Sequence, residues 1–468
     1  MLGKLRMYNF SFRWKSMAAA VAALSVFAVA SLAQAPARNY KDGEFDIYNA
    51  VTIDISKKDY TKAIADLDAW KQKYADSDFK DDRLMLYVTA YSESKQYGKA
   101  LDSAAEAIAM PNAFSDPKTG AANEVRALFT AVQSLLQGVT AQQQLTPQQL
   151  DNAEKASRRL LEFNRKPEGV SDGDFNTLKN QLQAAARQAL LTIAILPGDK
   201  ALARNPADCE TAVASYTKAL GEYPDKSFIS YNLGRAYNCM AKKDSAHVAD
   251  WGAKAIFEFV RAAVVDPTLG GTTDAKKISD YANNAYNTFH GSTEGLDHLK
   301  DQAKAAPLPP DNFKIETATQ VAARKEGEFK EKYPQLAMWM GIKGQLADTN
   351  GMQYFESTLK NAQVPKLKGT VVEGKCRAKD ILVAVPLPDQ QGAPTAEITL
   401  KLDAPLTGKP EPGEIQWEGV PTSFTQSPFM LTMETEKAKI EGLKVSACAG
   451  AAPARKGTVG KKGGAKKK

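Results

Sequence analysis

Residues 209–225, CETAVASYTKALGEYPD, and residues 226–240, KSFISYNLGRAYNCM, decide the fold of this chain. In the first stretch Ala212, Tyr216 and Ala219 recur at steps of four and three, the spacing that puts side chains on one face of a helix. Pro224 then closes the helix. The second stretch places Leu233, Gly234, Ala236 and Tyr237 along a new helix. Its partner, AIFEFVRAAVVDP at 255–267, repeats the first pattern with Ala255, Phe259, Ala262 and Pro267 at the same offsets. Small residues at Ala212, Gly234 and Ala255 let paired helices approach closely, and the aromatic rings fill the gaps between them.

These residues resemble the tetratricopeptide repeat. The resemblance implies a mainly α fold, an α-solenoid of antiparallel helix pairs in which each pair contacts its neighbours. It also implies a binding role, with other proteins or extended peptides held along a concave face lined by the first helix of each pair. The candidates on that face are Phe228, Tyr231, Asn232 and Arg235, all read as exposed. On the same template Cys209 opens a second helix and Cys239 closes the next first helix. A Cys209–Cys239 disulfide is therefore expected, worth ~3 kcal/mol in the chain-entropy account.

The pattern extends outward from this centre. KKDYTKAIADLDAW (57–70) carries Tyr60, Ala63, Leu67 and Trp70 at second-helix offsets. RLMLYVTAYSESKQYGKALDSAAEAIAMP (83–111) supplies Tyr87, Ala90 and Tyr91, then Tyr97, Ala100, Ala104, Ala107 and Pro111, with Val88 in the glycine position. Helices predicted over 123–137, 147–164 and 175–195 fit the template less well and read as degenerate or inserted hairpins. Thr146-Pro147 is a helix start. Beyond Pro267, DYANNAYNTF (280–289) keeps Ala285 and Tyr286 but has Asn283 for glycine, as an atypical last repeat would. Leu269-Gly270-Gly271 reads as a helix terminator.

The period changes after the proline-rich AAPLPPD of 305–311. Two helices over 316–332 and 334–347 lead into two-residue alternation, as in Ile398, Leu400 and Leu402. Strands are expected near 367–373, 380–386, 395–402, 413–420 and 428–434, with prolines such as Pro386, Pro394, Pro410, Pro421 and Pro428 between the runs. Five antiparallel strands in so short a segment form a small sandwich or a barrel, the latter similar in shape to oligonucleotide-binding barrels. Cys376 and Cys448 flank this unit and are placed to staple it.

The ends differ in kind from the body. Lys4, Arg6, Arg13 and Lys15 precede an apolar run from Met17 to Leu32 and small residues at Ala33, Ala35 and Ala37, the order of an export signal. The run is shorter than the roughly 20 residues a membrane span needs, so cleavage after Ala33 or Ala37 is expected, with an uncleaved anchor as the alternative. At the other end, 449–468 hold seven basic and no acidic residues. Setting aside these seven and the four of the leader, 50 of the 61 basic residues remain against 54 acidic ones. A body of that sign is no electrostatic nucleic-acid binder. The Lys-rich tail, read as disordered, has anionic envelope surfaces as its natural partner.

The expected organisation is an export signal at 1–35, helical repeats at 36–304, a proline linker and helical connector at 305–365, a β domain at 366–448 and the tail at 449–468. Four cysteines in an exported chain point to disulfides rather than metal. His247, His290 and His298 are scattered and lack a nucleophile with its base and orienting group. The expectation is a non-enzymatic, cofactor-free and metal-free protein of the periplasm or the extracellular space that acts as a scaffold or adaptor. The alternative is an envelope assembly factor whose β domain carries the ligand specificity.

Overall fold

The computed structural model describes residues 38–448; the leader and the Lys-rich tail lie outside the described residues. The described chain forms two compact units, one ending at Ala318 and the other beginning at Thr319.

The first unit is helical. Its elements are α1 (Glu44–Ser56), α2 (Tyr60–Lys73), α3 (Lys80–Glu93), α4 (Tyr97–Ala109), α5 (Gly120–Thr140), α6 (Pro147–Glu162), α7 (Asp172–Ala203), α8 (Cys209–Glu222), α9 (Ser227–Lys243), α10 (Val248–Val265), α11 (Ala275–His290) and α12 (Leu296–Ala305). Strong packing runs between helices one or two apart in the chain, as in α8 with α9, α9 with α10 and α5 with α7. The apolar core follows suit: one buried cluster draws on α3 to α7, and another begins at Leu191 of α7 and runs through α12.

The even-numbered helices from α2 to α10 share one construction. Each buries residues at steps of four and three: Ala63, Leu67 and Trp70; Ala100, Ala104 and Ala107; Ala153, Ser157 and Leu160; Ala212, Tyr216 and Ala219; Ala255, Phe259 and Ala262. The first residue of every set is alanine, which admits a neighbouring helix. The ends of α2 and α8 also match. Asp59 and Asp208 accept hydrogen bonds from Lys62 N and Thr211 N, and both helices exit through a tyrosine, Tyr74 and Tyr223, with nearly the same backbone angles. An aspartate oxygen meeting the orphan amides of a first turn is a favourable cap.

Three sequence expectations need correction here. The helix expected to end at Ile195 runs on through Pro197 to Ala203. Proline removes one backbone donor, but Pro197 lies on the exposed side of α7, where its ring meets solvent rather than the packed face. The helix at 147 does start at Thr146-Pro147, with a complete capping box between Thr146 and Gln149. Three of its four buried residues, Ala153, Ser157 and Leu160, follow the common pattern, and the one departure in residue type is Ser157, whose hydroxyl donates to Ala153 O. The α10 helix ends at Val265, and Leu269, Gly270 and Gly271 continue with positive φ in a turn held by the Asp266 carboxylate.

The second unit contains α13 (Ala318–Lys332, which begins at the unit junction), α14 (Pro334–Ala347), α15 (Gly351–Tyr354, continued by a π turn) and strands β1 (Val364–Gly374), β2 (Asp380–Ala384), β3 (Ile398–Leu402), β4 (Lys409–Pro410), β5 (Gly413–Gln426), β6 (Phe429–Thr435), β7 (Ile440–Glu441) and β8 (Val445–Ser446). Strand order β1-β2-β3-β6-β5 closes through a β1–β5 pairing, so the unit is a five-stranded barrel rather than a sandwich. It is not wholly antiparallel, because β3 and β6 run parallel. The expected break at Pro421 is absent. Strand β5 passes through it at a bulge between Pro421 and Ser423, where a missing N–H leaves no ladder bond unmade.

Alternate residues of the strands, Leu367, Val371, Ile381, Val383, Ile398, Leu400, Ile415, Trp417, Leu431 and Met433, fill the barrel. Gly369 permits the tight curvature, since a Cβ there would lie 2.6 Å from Ala384 O and 3.1 Å from the Trp417 ring. Trp339 and Leu346 of α14, with Phe355 and Leu359 after it, join the same core. The Trp339 indole donates to Glu397 Oε2 at 3.1 Å, Lys343 pairs with Glu397, and Gln426 donates to Leu346 O and Asp348 O. These helices therefore belong to the barrel unit, which starts well before residue 366.

Candidate functional site

The four residues expected to line a face all lie on α9. Arg235 is exposed, Asn232 is half-buried and accepts a hydrogen bond from Arg235 Nη1 at 3.1 Å, and Phe228 is half-buried against the core. Tyr231, read as exposed, is only 8% accessible. Its ring sits 5.6 Å from Phe259 and 6.2 Å from Tyr281, so it is a core contact on that face rather than a free side chain.

Two residues missed by the sequence reading complete the face. The first is Asp199 in the last turns of α7. A Cβ on Gly198 would lie 2.8 Å from the Tyr216 ring, just as one on Gly234 would lie 2.7 Å from Phe259. Gly198-Asp199 and Gly234-Arg235 therefore occupy equivalent positions on two helices, with acid and base exchanged. Pro197 hid this equivalence in the sequence. The second is Tyr281 of α11, which is 37% exposed and stands edge-on to Phe259 at 4.9 Å.

Electrostatics ties the three together. Asp199 keeps access to solvent, yet surrounding protein pushes its carboxyl pKa up, opposed by the Tyr216 hydroxyl, which donates to it, and by the Arg235 charge. Burial likewise raises the Tyr281 phenol, again opposed by Arg235. Solvent access combined with desolvation describes a concave position. The arrangement offers one acidic group, one guanidinium, an amide and an aromatic edge along α7, α9 and α11. That set suits hydrogen bonding to an extended chain.

A rigid backing supports this face. Arg261 of α10 donates to Pro224 O at 2.6 Å, Ser230 Oγ at 2.7 Å and Ala306 O at 2.9 Å. Glu258, one turn before it, is fully buried, and neither carboxyl oxygen has a protein hydrogen-bond partner. Burial pushes its pKa up to about 8, with Ser230 and Arg261 pulling the other way.

Both expected disulfides are present: Cys209–Cys239, with Cα atoms 5.6 Å apart, and Cys376–Cys448, with Cα atoms 5.8 Å apart. The first ties the start of α8 to the end of α9, where Lys243 also pairs with Glu210 at 2.7 Å. Two such bonds fit an oxidising, exported environment. Among the described residues no helix is long and apolar enough to cross a membrane, and no cluster of histidine, cysteine and carboxylate groups is arranged to hold a metal. His290 is buried with its Nδ1 at 2.9 Å from Glu316 O, and exposed His247 contacts Asp244. An open polar depression of about 360 Å³ between the α3–α4 and α5–α6 turns is lined by Lys95, Lys99, Gln143 and Gln149. Comparison with protein-family models and with curated protein sequences finds no match.

Proposed function

We propose that this chain is a non-catalytic scaffold of the bacterial-type cell envelope that captures partner proteins through its helical unit. The observation that carries the reading is the Asp199, Arg235 and Tyr281 set on alternate helices, solvent-accessible, with Asp199 and Tyr281 each feeling the charge of Arg235. Serial packing and the repeated i, i+4, i+7 burial support a solenoid of tetratricopeptide type, whose nearest-neighbour architecture leaves a long continuous surface for an extended ligand. Exchange of acid for base between equivalent positions would read polarity along that ligand.

A periplasmic or extracellular location accords with the two disulfides and the leader-like N-terminus. Affinity capture from an envelope fraction, followed by mass spectrometry, is the direct test. Capture should fall about tenfold or more in an Asp199→Lys, Arg235→Glu variant, because truncated or reversed charges in a desolvated contact weaken binding by a few kcal/mol. It should survive deletion of 319–468. Undiminished capture by the charge-reversed protein would refute the role of this face.

One observation favours a second reading. The closed order β1-β2-β3-β6-β5, with its single parallel pairing, is similar to that of oligonucleotide-binding barrels, a scaffold used for varied ligands. If the barrel carries the specificity, the deletion of 319–468 will abolish capture instead.

A further inference from the structure

Helix α1 is apolar on two opposite sides. Ile47, Tyr48, Val51 and Ile55 pack into one buried cluster with Leu67, Trp70 and Tyr87. Phe45 and Ile53 point the other way, 53% and 41% exposed. They share one face of the helix, with exposed Asn49 midway between them. The Phe45 ring is held from behind by Tyr40 at 5.2 Å and Tyr48 at 6.2 Å, and Tyr40 stacks on Phe79 at 3.8 Å. A helix apolar on both sides is ordinarily covered on both, and this one leaves an ordered ring half in water.

The charges on the face say what fits it. Exposed Asp42 and Asp46 stand at its start, and exposed Lys57 and Lys58 at its end. None of the four makes an ion pair among the described residues, although Lys41 and Lys62 nearby pair with Asp76 and Asp54. Along the helix the stripe therefore runs acid, apolar, amide, apolar, base. A second copy laid antiparallel brings Phe45 over Ile53, Asn49 over Asn49, and the aspartates over the lysines, each contact made twice by symmetry. The helix dipoles also oppose one another in that arrangement. A parallel pair would set acid on acid and base on base.

We propose that this face of α1 is a self-association site, through which two copies of the chain form an antiparallel, two-fold dimer. Both copies offer the same self-complementary patch, which is the condition for a closed contact. A polar residue at the centre of such a seam fixes its register at a cost in stability. The helix has 13 residues and is about 20 Å long. A pair of that length falls short of the roughly 1,200 Å² of a stable interface, so the dimer is weak and depends on concentration. No residue of the Asp199, Arg235 and Tyr281 face takes part, which makes self-association independent of capture there.

Sedimentation velocity over about 5 to 500 µM tests this on the chain from Arg38 onward, which holds every described residue. Reversible dimerisation is expected. The Phe45→Ser, Ile53→Ser variant should weaken it about tenfold or more. A Met340→Ser, Met352→Ser variant, altered at exposed apolar side chains of the second unit, should dimerise as the parent does. Asp42→Lys, Asp46→Lys and Lys57→Glu, Lys58→Glu should each weaken dimerisation, because each sets like charges across the axis. Mixed in equal amounts, those two variants should associate as tightly as the parent, since every facing pair is again opposite in sign. Individual weakening together with rescue is expected of the antiparallel pair alone, and the rescue certifies that both variants are folded. A chain monomeric at every concentration would leave α1 to some other partner and overturn the proposal. So would unchanged dimerisation of the Phe45→Ser, Ile53→Ser variant, its loss in the methionine variant, or a mixture no tighter than its parts.

Discussion

Glu258 shows how one residue sets a pH dependence. Its carboxyl is raised from the ordinary 4.5 to about 8 because burial disfavours the charged form. Between those values the native protein holds a proton that the unfolded chain has released. Stability is therefore full below the ordinary value, declines as pH rises toward about 8, and levels off above it. The decline approaches 1.4 kcal/mol per pH unit as an upper bound. Glu258→Gln, a neutral isostere, should flatten this dependence and stabilise the protein at pH 8 by about 1–3 kcal/mol. Chemical denaturation at pH 5, 6.5 and 8 checks it. A parallel pH slope in both proteins would contradict the assignment. The residue gave no special signal in the sequence, where Glu258 reads as one more polar position on an amphipathic helix.

At the scale of elements, close helix approach is the organising constraint. Gly234 faces the Phe259 ring and Ala255 O, and Gly198 faces the Tyr216 ring. On an isolated helix, glycine to alanine would stabilise by up to about 1 kcal/mol. Here the added methyl must displace a buried ring, so Gly234→Ala and Gly198→Ala should each destabilise, by about 1–3 kcal/mol. Thermal melts decide the sign. Stabilisation at both sites would mean that these helices are not packed as described. The repeated set around Ala212, Tyr216 and Ala219 was legible because its spacing is local. The equivalent set of Ala153, Ser157 and Leu160 was not, since a buried serine that satisfies itself within its own helix looks like a solvent position. For the same reason Asp199 escaped notice: Pro197 normally ends a helix, and only its outward placement lets α7 continue.

For the whole molecule, the question is which segments fold together. Trp339, Leu346, Phe355 and Leu359 share the barrel core, so a fragment of 319–448 should unfold cooperatively, whereas 366–448 should lack a sharp transition. Removing Trp339 alone, as Trp339→Ala, should cost about 3–5 kcal/mol. Circular dichroism melts of the two fragments and the variant make the comparison. A sharp melt for 366–448 would return α14 and α15 to the role of a connector.

By itself, the sequence determined the helical unit and the five strands, because each is written in spacing or alternation, and it made the two cysteine pairs candidates that the folded structure joined. The sequence left open the closure of the strands into a barrel, which rests on the β1–β5 pairing between residues distant in the chain. Tertiary structure also decided that α14 is core, that Tyr231 is covered while Tyr281 is accessible, and that Asp199 stands across from Arg235's helix. Local periodicity tells which face of an element is buried. What covers that face depends on segments remote in sequence, and only the folded chain brings them together.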